Sequence, residues 1–476
     1  MNLFPFRFTP IGNEVLFSNE AGDFFFSSER TLDRLASGEM TVSDSAFLKA
    51  RGFAYGELDD FYVGSFVDRL TLRKAISSAT NYLIVVPTLR CDHACSYCQV
   101  SRAAVGAKGF DWTEETFENF LDFLDALPSK EQIQIEFQGG EPTLRLDLVK
   151  RIILACEERF QTARFVICTH LRTLSPDLIS LMQRHDLGIS TSIDGPSDIH
   201  TGNRTGNLKV TEQIFENVAR VIEEFGPERL SALPTITRED YGRIPEIIDL
   251  YADLGLTSIF LRPVNYQGFA RKRHPDSIGD DEAWFAAYRA ALEHLFARNL
   301  NNEHKITEFT LELALRRIFR LGENGHVDLR SPNPPARDYV VIDYDGRLYP
   351  SDEARMVTRI GLVDLAIGDL ATGFNKQKVD WLSWNQMNEV HETCQHCAFQ
   401  PYCGIDLVDD IARYDRIDTI KEETRFCRSN TNLFQTVFSL LREPDPGVQF
   451  NLKGHLLGTF DHTPFMAPPV YDPPES

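Results

Sequence analysis

The sequence predicts an α/β fold: a partial (β/α)6 barrel related to the TIM barrel, with a winged-helix-like module before it and a cysteine-rich domain after it. Three observations predict this fold. Short apolar runs alternate with helical patterns through the middle of the chain, a hairpin pattern with helices precedes them, and seven of the nine cysteines form two groups. We therefore expect a module over residues 1–78, a barrel over 79–330, a cysteine-rich domain over 331–443 and a proline-rich tail over 444–476.

The N-terminal module is predicted from a hairpin and two helices. The apolar runs Glu14–Ser18 and Asp23–Ser27 flank Asn-Glu-Ala-Gly, which is a turn sequence. Helical patterns follow at Ser28–Ala36 and Ser43–Ala50, with Ser and Asp residues where N-caps belong. This order is typical of a small winged-helix module, although an extension that only caps the next domain fits the same pattern.

The barrel is predicted from six apolar runs that alternate with amphipathic helices. Strands and helices of these lengths form right-handed βαβ units and a parallel sheet. The predicted strands are Leu83–Leu89, Ile133–Phe137, Arg164–Thr169, Leu187–Ile193, Leu230–Ile236 and Ser258–Val264. The predicted helices are Glu115–Leu127, Leu146–Phe160, Pro176–His185, Val210–Phe225 and Ile244–Leu254.

Beyond the barrel the regular pattern weakens. Pro332–Pro335 predicts a linker, and Tyr339–Ile342 and Arg347–Tyr349 flank Asp-Tyr-Asp-Gly, which predicts a second hairpin. The cysteine-rich segment 394–427 has little periodicity, as expected where metal ligation replaces a hydrophobic core. We expect an irregular tail from residue 444, because it contains seven prolines.

The charge balance excludes several classes of partner. Seventy acidic residues against 49 basic ones give a net charge of −21, which repels phosphate backbones and anionic lipid surfaces. No apolar run approaches the roughly 20 residues that span a bilayer. We therefore expect a cytoplasmic protein that binds neither nucleic acid nor membrane. In a reducing compartment, clustered cysteines suit a metal or an iron–sulfur cluster better than disulfides.

The first cysteine group follows the first barrel strand directly. Cys91, Cys95 and Cys98 have the spacing Cys-x3-Cys-x2-Cys, at the end of a parallel strand where barrel active sites are built. Three thiolates can hold three irons of a [4Fe–4S] cube and leave the fourth iron open to a ligand. The alternative from these residues alone is a zinc site that also uses His93.

Polar and glycine motifs follow two later strands of the barrel. Gln138-Gly-Gly-Glu-Pro142 follows the second strand, and glycines allow a backbone to approach a ligand closely. Ser190–Pro196 ends the fourth strand with hydroxyl groups and a carboxylate, and Arg204 is a candidate clamp for a ligand carboxylate. Because the ends of parallel strands meet at one edge, we expect these groups beside the three cysteines.

These motifs together resemble the radical S-adenosylmethionine (SAM) enzymes with a C-terminal SPASM-type extension. The resemblance covers about residues 83–435 and includes Cys-x3-Cys-x-Tyr-Cys, Gly-Gly-Glu-Pro and Ser-Ile-Asp-Gly-Pro, followed by His200 and Arg204. It implies a [4Fe–4S] cluster whose open iron chelates SAM. Reductive cleavage would then give a 5′-deoxyadenosyl radical that abstracts hydrogen from a substrate carbon.

The resemblance also implies roles for single residues. Cys91, Cys95 and Cys98 would hold the cluster, Tyr97 would form an aromatic wall beside it, and the backbone of Gly139–Glu141 would take the amino group of SAM. The remaining cofactor-binding residues implied are Gln138, Gly140, Ser192, Asp194 and Arg204. The sequence departs from the family at Thr169-His170-Leu171, where many relatives read Thr-Asn-Gly.

The second cysteine group can form a closed four-thiolate site. Its members are Cys394, Cys397, Cys403 and Cys427, and their spacing alone permits zinc or an iron–sulfur cluster. The SPASM resemblance favours one auxiliary [4Fe–4S] cluster. Two positions where relatives carry further cysteines are Ser351 and Leu407 here, so we expect a second auxiliary cluster to be absent.

Three residues outside these motifs, one aspartate and two cysteines, have side chains that could act as a proton acceptor or a ligand. Asp352 matches an aspartate proposed as proton acceptor in sulfatase-maturing relatives, although a solvated turn aspartate is the simpler interpretation in an acidic chain. Cys156 and Cys168 lie in a predicted helix and strand, where we expect small core residues.

The resemblance implies a maturase that modifies a ribosomally synthesised precursor peptide, with the N-terminal module gripping the leader by strand addition. The segments Phe4–Phe8, Ser18–Gly22 and Thr88–Arg102 look most like the HxsB branch of the His-Xaa-Ser system maturases. That branch implies a His-Xaa-Ser repeat peptide and a second radical SAM protein as partners, and the chemistry implies an electron donor such as flavodoxin or ferredoxin. The alternatives are a formylglycine-generating sulfatase maturase and a non-catalytic iron–sulfur protein for electron transfer or scaffolding.

Overall fold

The computed structural model describes residues 1–57, 61–75, 80–279, 281–322, 335–337, 339–463, 465 and 468–471. The N-terminal segment forms a small antiparallel sheet with helices packed against it. Its elements are β1 Asn2–Leu3, β2 Phe6–Ile11, β3 Glu14–Asn19, β4 Phe24–Ser27, α1 Glu29–Ser37, α2 Val42–Ala50, β5 Ala54–Tyr55 and α3 Phe61–Lys74.

The predicted N-terminal hairpin is confirmed. β3 and β4 pair antiparallel, and β2 pairs with the other side of β3. Stacked rings of Phe17 and Phe25, with centroids 4.7 Å apart, lie in the core between sheet and helices. Thr41 begins α2 with a reciprocal capping box to Asp44. The assignment as a winged helix stays a prediction.

The middle of the chain forms the predicted parallel sheet, in the strand order β12-β11-β10-β9-β6. β6 is buried along its whole length, as expected for a parallel strand covered on both faces. The elements are β6 Tyr82–Thr88, β7 Arg90–Cys91, β8 Ala103–Ala104, α4 Glu114–Ala126, β9 Gln132–Gly139, α5 Leu146–Arg159, β10 Thr162–Cys168, α6 Pro176–Arg184, β11 Leu187–Thr191, α7 Ser197–His200, α8 Leu208–Phe225, β12 Leu230–Ala232, α9 Ile244–Asp253, β13 Ser258–Ile259, α10 Ala270–Arg273, α11 Asp281–Asn301, β14 Thr307–Glu308 and α12 Phe309–Phe319.

The sixth predicted strand is shorter than expected. β13 covers only two residues of the predicted Ser258–Val264 and pairs with β14. Contact with the fifth strand is reduced to an isolated parallel bridge between Ile236 and Pro263. Proline has no N–H to donate, so it interrupts a ladder of hydrogen bonds at this position.

The C-terminal segment continues the barrel sheet. Its elements are β15 Tyr339–Ile342, β16 Arg347–Tyr349, α13 Asp352–Arg359, β17 Gly368–Asp369, β18 Gly373–Phe374, α14 Lys376–Asn385, α15 Glu392–Gln395, α16 Leu407–Tyr414, α17 Arg425–Arg442, α18 Pro446–Leu457 and β19 Val470–Tyr471. The predicted hairpin is confirmed as β15 and β16. β15 also runs parallel to β6, with Tyr339 opposite Tyr82, so one sheet of nine strands joins both segments.

The expectation of an irregular tail is wrong for two parts of it. Pro446 occupies the first turn of α18, where a missing N–H costs nothing, and Asp445 caps the helix. α18 packs against α11 and α12 and buries Leu452. β19 then pairs in parallel with β4 and closes that edge of the N-terminal sheet.

The predicted domain boundaries at 78/79 and 330/331, and residues 332–334 of the predicted linker, lie outside the described residues. In the described part of the chain, no helix combines the length and apolar character needed to cross a bilayer.

Candidate active site

A cavity of about 210 Å³ lies at the carboxyl ends of the barrel strands. It brings together most of the residues predicted from separate motifs. Those lining it are Cys91, Cys95, Tyr97, Cys98, Gln138, Gly139, Gly140, Glu141, Ser192, Arg204 and Asp352. The cavity is therefore built by side chains from four strand ends and from the C-terminal segment.

The three cysteines lie on the loop that follows β6. Cys91 belongs to β7 and is buried, and Cys95 and Cys98 are partly buried. Burial raises the pKa of both the Cys95 and Cys98 thiols. Three thiols facing one cavity are a suitable donor set for a cluster that leaves one iron open, because metal binding compensates the cost of burying thiolates.

The glycine pair allows two parts of the backbone to pack together. A Cβ on Gly140 would lie 2.2 Å from the carbonyl oxygen of Arg90, and one on Gly139 would lie 2.3 Å from that of Thr88. The N–H of Gly140 donates to Thr88 O at 3.0 Å, and that of Glu141 donates to Arg90 O at 2.8 Å. Both N–H groups therefore donate to backbone carbonyls of this chain. The close packing that the two glycines allow positions the turn that leads into Cys91.

Tyr97, Asp194 and Arg204 form a buried network beside the cysteines. The Tyr97 hydroxyl donates to Asp194 Oδ2 at 2.6 Å and accepts from Arg204 Nη1 at 2.6 Å. Burial raises the pKa of Asp194 and of Tyr97. Asp194 is fully buried and does not line the cavity, so it acts by orienting the other two side chains.

Polar atoms without a partner among the described residues face the same cavity. Arg204 Nε and the Thr191 hydroxyl are both buried and unpaired, and both residues line the cavity. Buried polar groups are normally hydrogen-bonded, so these atoms indicate that a polar ligand completes the site. Together with the three thiols, they fit a cluster-bound amino acid such as SAM.

His170 occupies the position where the family pattern departs. Its Nε2 lies 2.6 Å from Asp92 Oδ1 and 3.0 Å from Glu141 Oε2. Burial lowers the pKa of His170, but the charge of Glu141 and the hydrogen bond to Asp92 outweigh this effect and raise it to about 11. Leu171 keeps a positive φ of 54°, the backbone conformation that a glycine would adopt there.

The zinc alternative with His93 stays open, because His93 lines this cavity and neither of its ring nitrogens has a hydrogen-bond partner among the described residues. The ligand atoms of Cys91, Asp92 and His170 lie within 4.8 Å of one another, but those of His93, Cys95 and Cys98 do not join that group. The ring of His93 stacks on His170 at 3.7 Å between centroids.

Asp352 reaches the cavity from the C-terminal segment. It is the first residue of α13, and Arg355 Nε donates to its Oδ1 at 2.8 Å. Ser351, where relatives carry cysteine, caps α13 by accepting from Ala354 N at 3.1 Å. Glu353 also lines the cavity.

Sequence reasoning missed two groups inside the barrel. Cys168, expected in the core, lines the cavity and lies 3.2 Å from Glu136 Oε1. Glu136 and Cys168 lie on adjacent strands, β9 and β10, and alternation along those strands was the available signal.

The second cysteine group surrounds another cavity, of about 190 Å³. Cys394, Cys397, Cys403 and Cys427 all line it, and burial raises the pKa of Cys394 to about 11. Among the described residues, no three of these sulfur atoms lie within 4.8 Å of one another. The arrangement leaves both zinc and an iron–sulfur cluster open for this site. Leu407 begins α16 and is buried in the main core, and it does not line this cavity.

Comparisons with known proteins find similarity to one family over part of the chain. Residues 85–251 match the model of the radical SAM superfamily. A PqqA peptide cyclase of Granulibacter bethesdensis is 25% identical over 192 residues, 39% of this chain and 48% of the cyclase. An uncharacterized protein of Methanocaldococcus jannaschii is 29% identical over 116 residues, 24% of this chain and 38% of that protein. The matched regions thus span about half or less of these two relatives.

Solved structures share the fold over a longer range. The structure of native anSMEcpe with bound AdoMet has a TM-score of 0.54 at 16% identity, over 75% of this chain and 96% of that chain. The structure of native anSMEcpe with bound AdoMet and the Cp18Cys peptide has a TM-score of 0.53 at 16% identity, over the same shares. The matched residues 85–251 include the strands that carry the three-cysteine loop, so this part of the chain is similar to the radical SAM superfamily.

Proposed function

We propose that this chain is a radical SAM maturase that installs a modification on a ribosomally synthesised precursor peptide. One observation carries the proposal: the three-thiol loop of the barrel and Asp352 of the C-terminal segment face a single cavity. A site for generating a radical and a carboxylate for accepting a proton are therefore within reach of one substrate.

Cys91, Cys95 and Cys98 would hold the [4Fe–4S] cluster, and Arg204, Thr191 and Ser192 would contact SAM or position the substrate. When bound, the cluster and SAM supply a 5′-deoxyadenosyl radical that takes a hydrogen atom from a substrate carbon. The buried walls exclude water, which protects such a species from side reactions.

Asp352 is the proposed proton acceptor. Its carboxylate is nearly buried, and Arg355, which is completely buried, holds it. This guanidinium holds the carboxylate at the wall of the cavity, where a general base would need to lie.

Cys394, Cys397, Cys403 and Cys427 are the proposed ligands of one auxiliary [4Fe–4S] cluster. The N-terminal module packs against their loop, because the Ser18 hydroxyl donates to Ala398 O at 2.6 Å. Together with the cluster proposed for the three cysteines of the barrel, this gives two clusters in total.

The N-terminal sheet is the proposed grip for the leader of the peptide. β4 is covered by β19, whereas β2 has no second strand partner among the described residues. Strand addition would thus use β2 or require β19 to leave. The finer assignment, on the resemblance to the HxsB branch, is a His-Xaa-Ser repeat peptide, with a second radical SAM protein as partner and flavodoxin or ferredoxin as electron donor.

The test is anaerobic reconstitution followed by reduction in the presence of SAM and a candidate peptide. We expect 5′-deoxyadenosine, a mass change in the peptide and about eight irons per chain from two cubes. Cys95→Ala should abolish both products. If no 5′-deoxyadenosine forms and Cys95→Ala retains its biological role, the chain is a non-catalytic iron–sulfur protein. Formylglycine as the product would instead identify a sulfatase maturase, the alternative that shares Asp352.

A further inference from the structure

A third cavity, of about 210 Å³, lies between the two cysteine sites. It is formed by the segment that follows β13 and by faces of α11, α12 and α17. Seven aromatic side chains line it, namely Phe260, Trp284, Phe285, Tyr288, Phe309, Phe426 and Phe434. A cavity of roughly 150 Å³ is enough to hold benzene, so this one has room for an aromatic side chain and part of its backbone.

The cavity shares wall residues with both proposed cluster sites. Arg262 lines both this cavity and the one beside Cys91. At the other end, Phe426 and Asn430 line both this cavity and the one around the second cysteine group. An occupant would therefore contact residues that also line each of the two sites.

The charge of the lining is one-sided in an otherwise acidic protein. Arg262, Arg317 and Arg425 line the cavity, and none of the described lining residues is acidic. Behind the wall, Asp281 lies 2.9 Å from Arg425 and also binds Arg428, and the buried Glu308 accepts hydrogen bonds from the Tyr288 hydroxyl and the Leu261 N–H. A carboxylate entering the cavity would meet cations with geometry suited to it.

One polar group in the wall indicates a ligand. The Ser429 hydroxyl is buried and has no partner among the described residues, and Ser429 lines the cavity. An unpaired buried hydroxyl costs free energy unless a ligand or water satisfies it.

We propose that this cavity, here called the bridging cavity, binds a segment of the peptide substrate that has an aromatic side chain next to a carboxylate. The rings take the aromatic group, and the arginines take the carboxylate. Its use as a substrate site rests on the proposed function, but binding itself is measured without SAM cleavage.

The experiment measures binding of three capped dipeptides to the anaerobically reconstituted protein by calorimetry. The probes are Ac-Phe-Asp-NH2, Ac-Phe-Asn-NH2, which lacks the carboxylate, and Ac-Ala-Asp-NH2, which lacks the ring. We expect Ac-Phe-Asp-NH2 to bind tightest, with the others about fivefold weaker or more. Assay of 5′-deoxyadenosine on the same preparation tests the proposed function separately.

Variants test whether the probes bind in the bridging cavity. Leu313→Trp places an indole in the cavity and should weaken Ac-Phe-Asp-NH2 about tenfold or more. Leu154→Trp is the matched control, because Leu154 is 43% exposed on α5 and does not line the cavity. Arg425→Gln should remove the preference for Asp over Asn, while Arg428 still holds Asp281. Iron content and far-ultraviolet circular dichroism check that each variant is folded.

Three results would overturn the proposal: no binding of any probe at millimolar concentration, equal binding of the Asp and Asn probes, or unchanged binding by a folded Leu313→Trp.

Discussion

Gly140→Ala tests whether the glycine pair positions the cysteine loop. The new Cβ would lie 2.2 Å from Arg90 O and 2.4 Å from Leu89 O, and both atoms belong to the backbone. A normal carbon–oxygen contact is roughly 3.3 Å, so the turn must move by about 1 Å. That shift strains the hydrogen bonds to Thr88 O and Arg90 O, at about 1 kcal/mol each. Adding about 1–3 kcal/mol for overpacking gives a loss of about 3–5 kcal/mol.

The assay is urea unfolding of the cluster-free protein, followed by iron analysis after reconstitution. We expect a lower unfolding midpoint and loss of iron at the first site, because Cys91 directly follows the displaced turn. Gly242→Ala is the control, since no atom lies within 4 Å of its added Cβ and its φ is not positive. If Gly140→Ala has the same urea midpoint as Gly242→Ala and binds the full amount of iron, the glycines do not position the loop.

Three further predictions concern other parts of the chain. Cys403→Ser should lower iron from about eight to about four per chain, whereas Cys156→Ala should leave it unchanged. Burial lowers the pKa of His455 from 6.5 in the unfolded state to about 4 in the folded state. Between these pH values the unfolded state therefore binds more protons than the folded state. Stability should then drop by about 3 kcal/mol from pH 6.5 to 4, and His455→Gln should flatten that profile in unfolding titrations. Tyr471→Ala removes the stacking of β19 on Phe47, so the Phe26 amide, which donates to Pro469 O, should exchange hydrogen at least tenfold faster; an unchanged rate would mean that Tyr471 does not hold β19.

Periodicity predicted most of the barrel, because parallel strands covered on both faces have continuous apolar runs such as β6. It failed where one residue decides hydrogen bonding, as Pro263 does in the sixth strand. Composition failed for the tail, because Pro446 lies in the first turn of α18, where proline is tolerated. Pairing of β19 with β4 joins residues more than 440 positions apart, and no local pattern contains that information.

The site residues were predictable where a motif links chemistry to a strand end, as for Cys91, Cys95 and Cys98. The sequence did not distinguish lining residues from those that orient them, so Asp194 was grouped with Arg204 although only Arg204 faces the cavity. The core assignment of Cys168 was wrong because alternation in a partly buried strand leaves two possible faces.

The position of Asp352 follows from a pairing that crosses the expected domain boundary. Because β15 lies beside β6 in parallel, the hairpin turn that begins at Asp343 lies toward the carboxyl ends of the barrel strands. Arg355 of α13 lies 3.6 Å from Asp343 in that turn, and α13 contributes Asp352, Glu353 and Met356 to the cavity. A cysteine at residue 351 would have to give up the N-cap of α13, which is worth about 1 kcal/mol, to bind metal. The serine thus stabilises the helix that carries the proposed proton acceptor, and the proposed active site depends on both the barrel and the C-terminal segment.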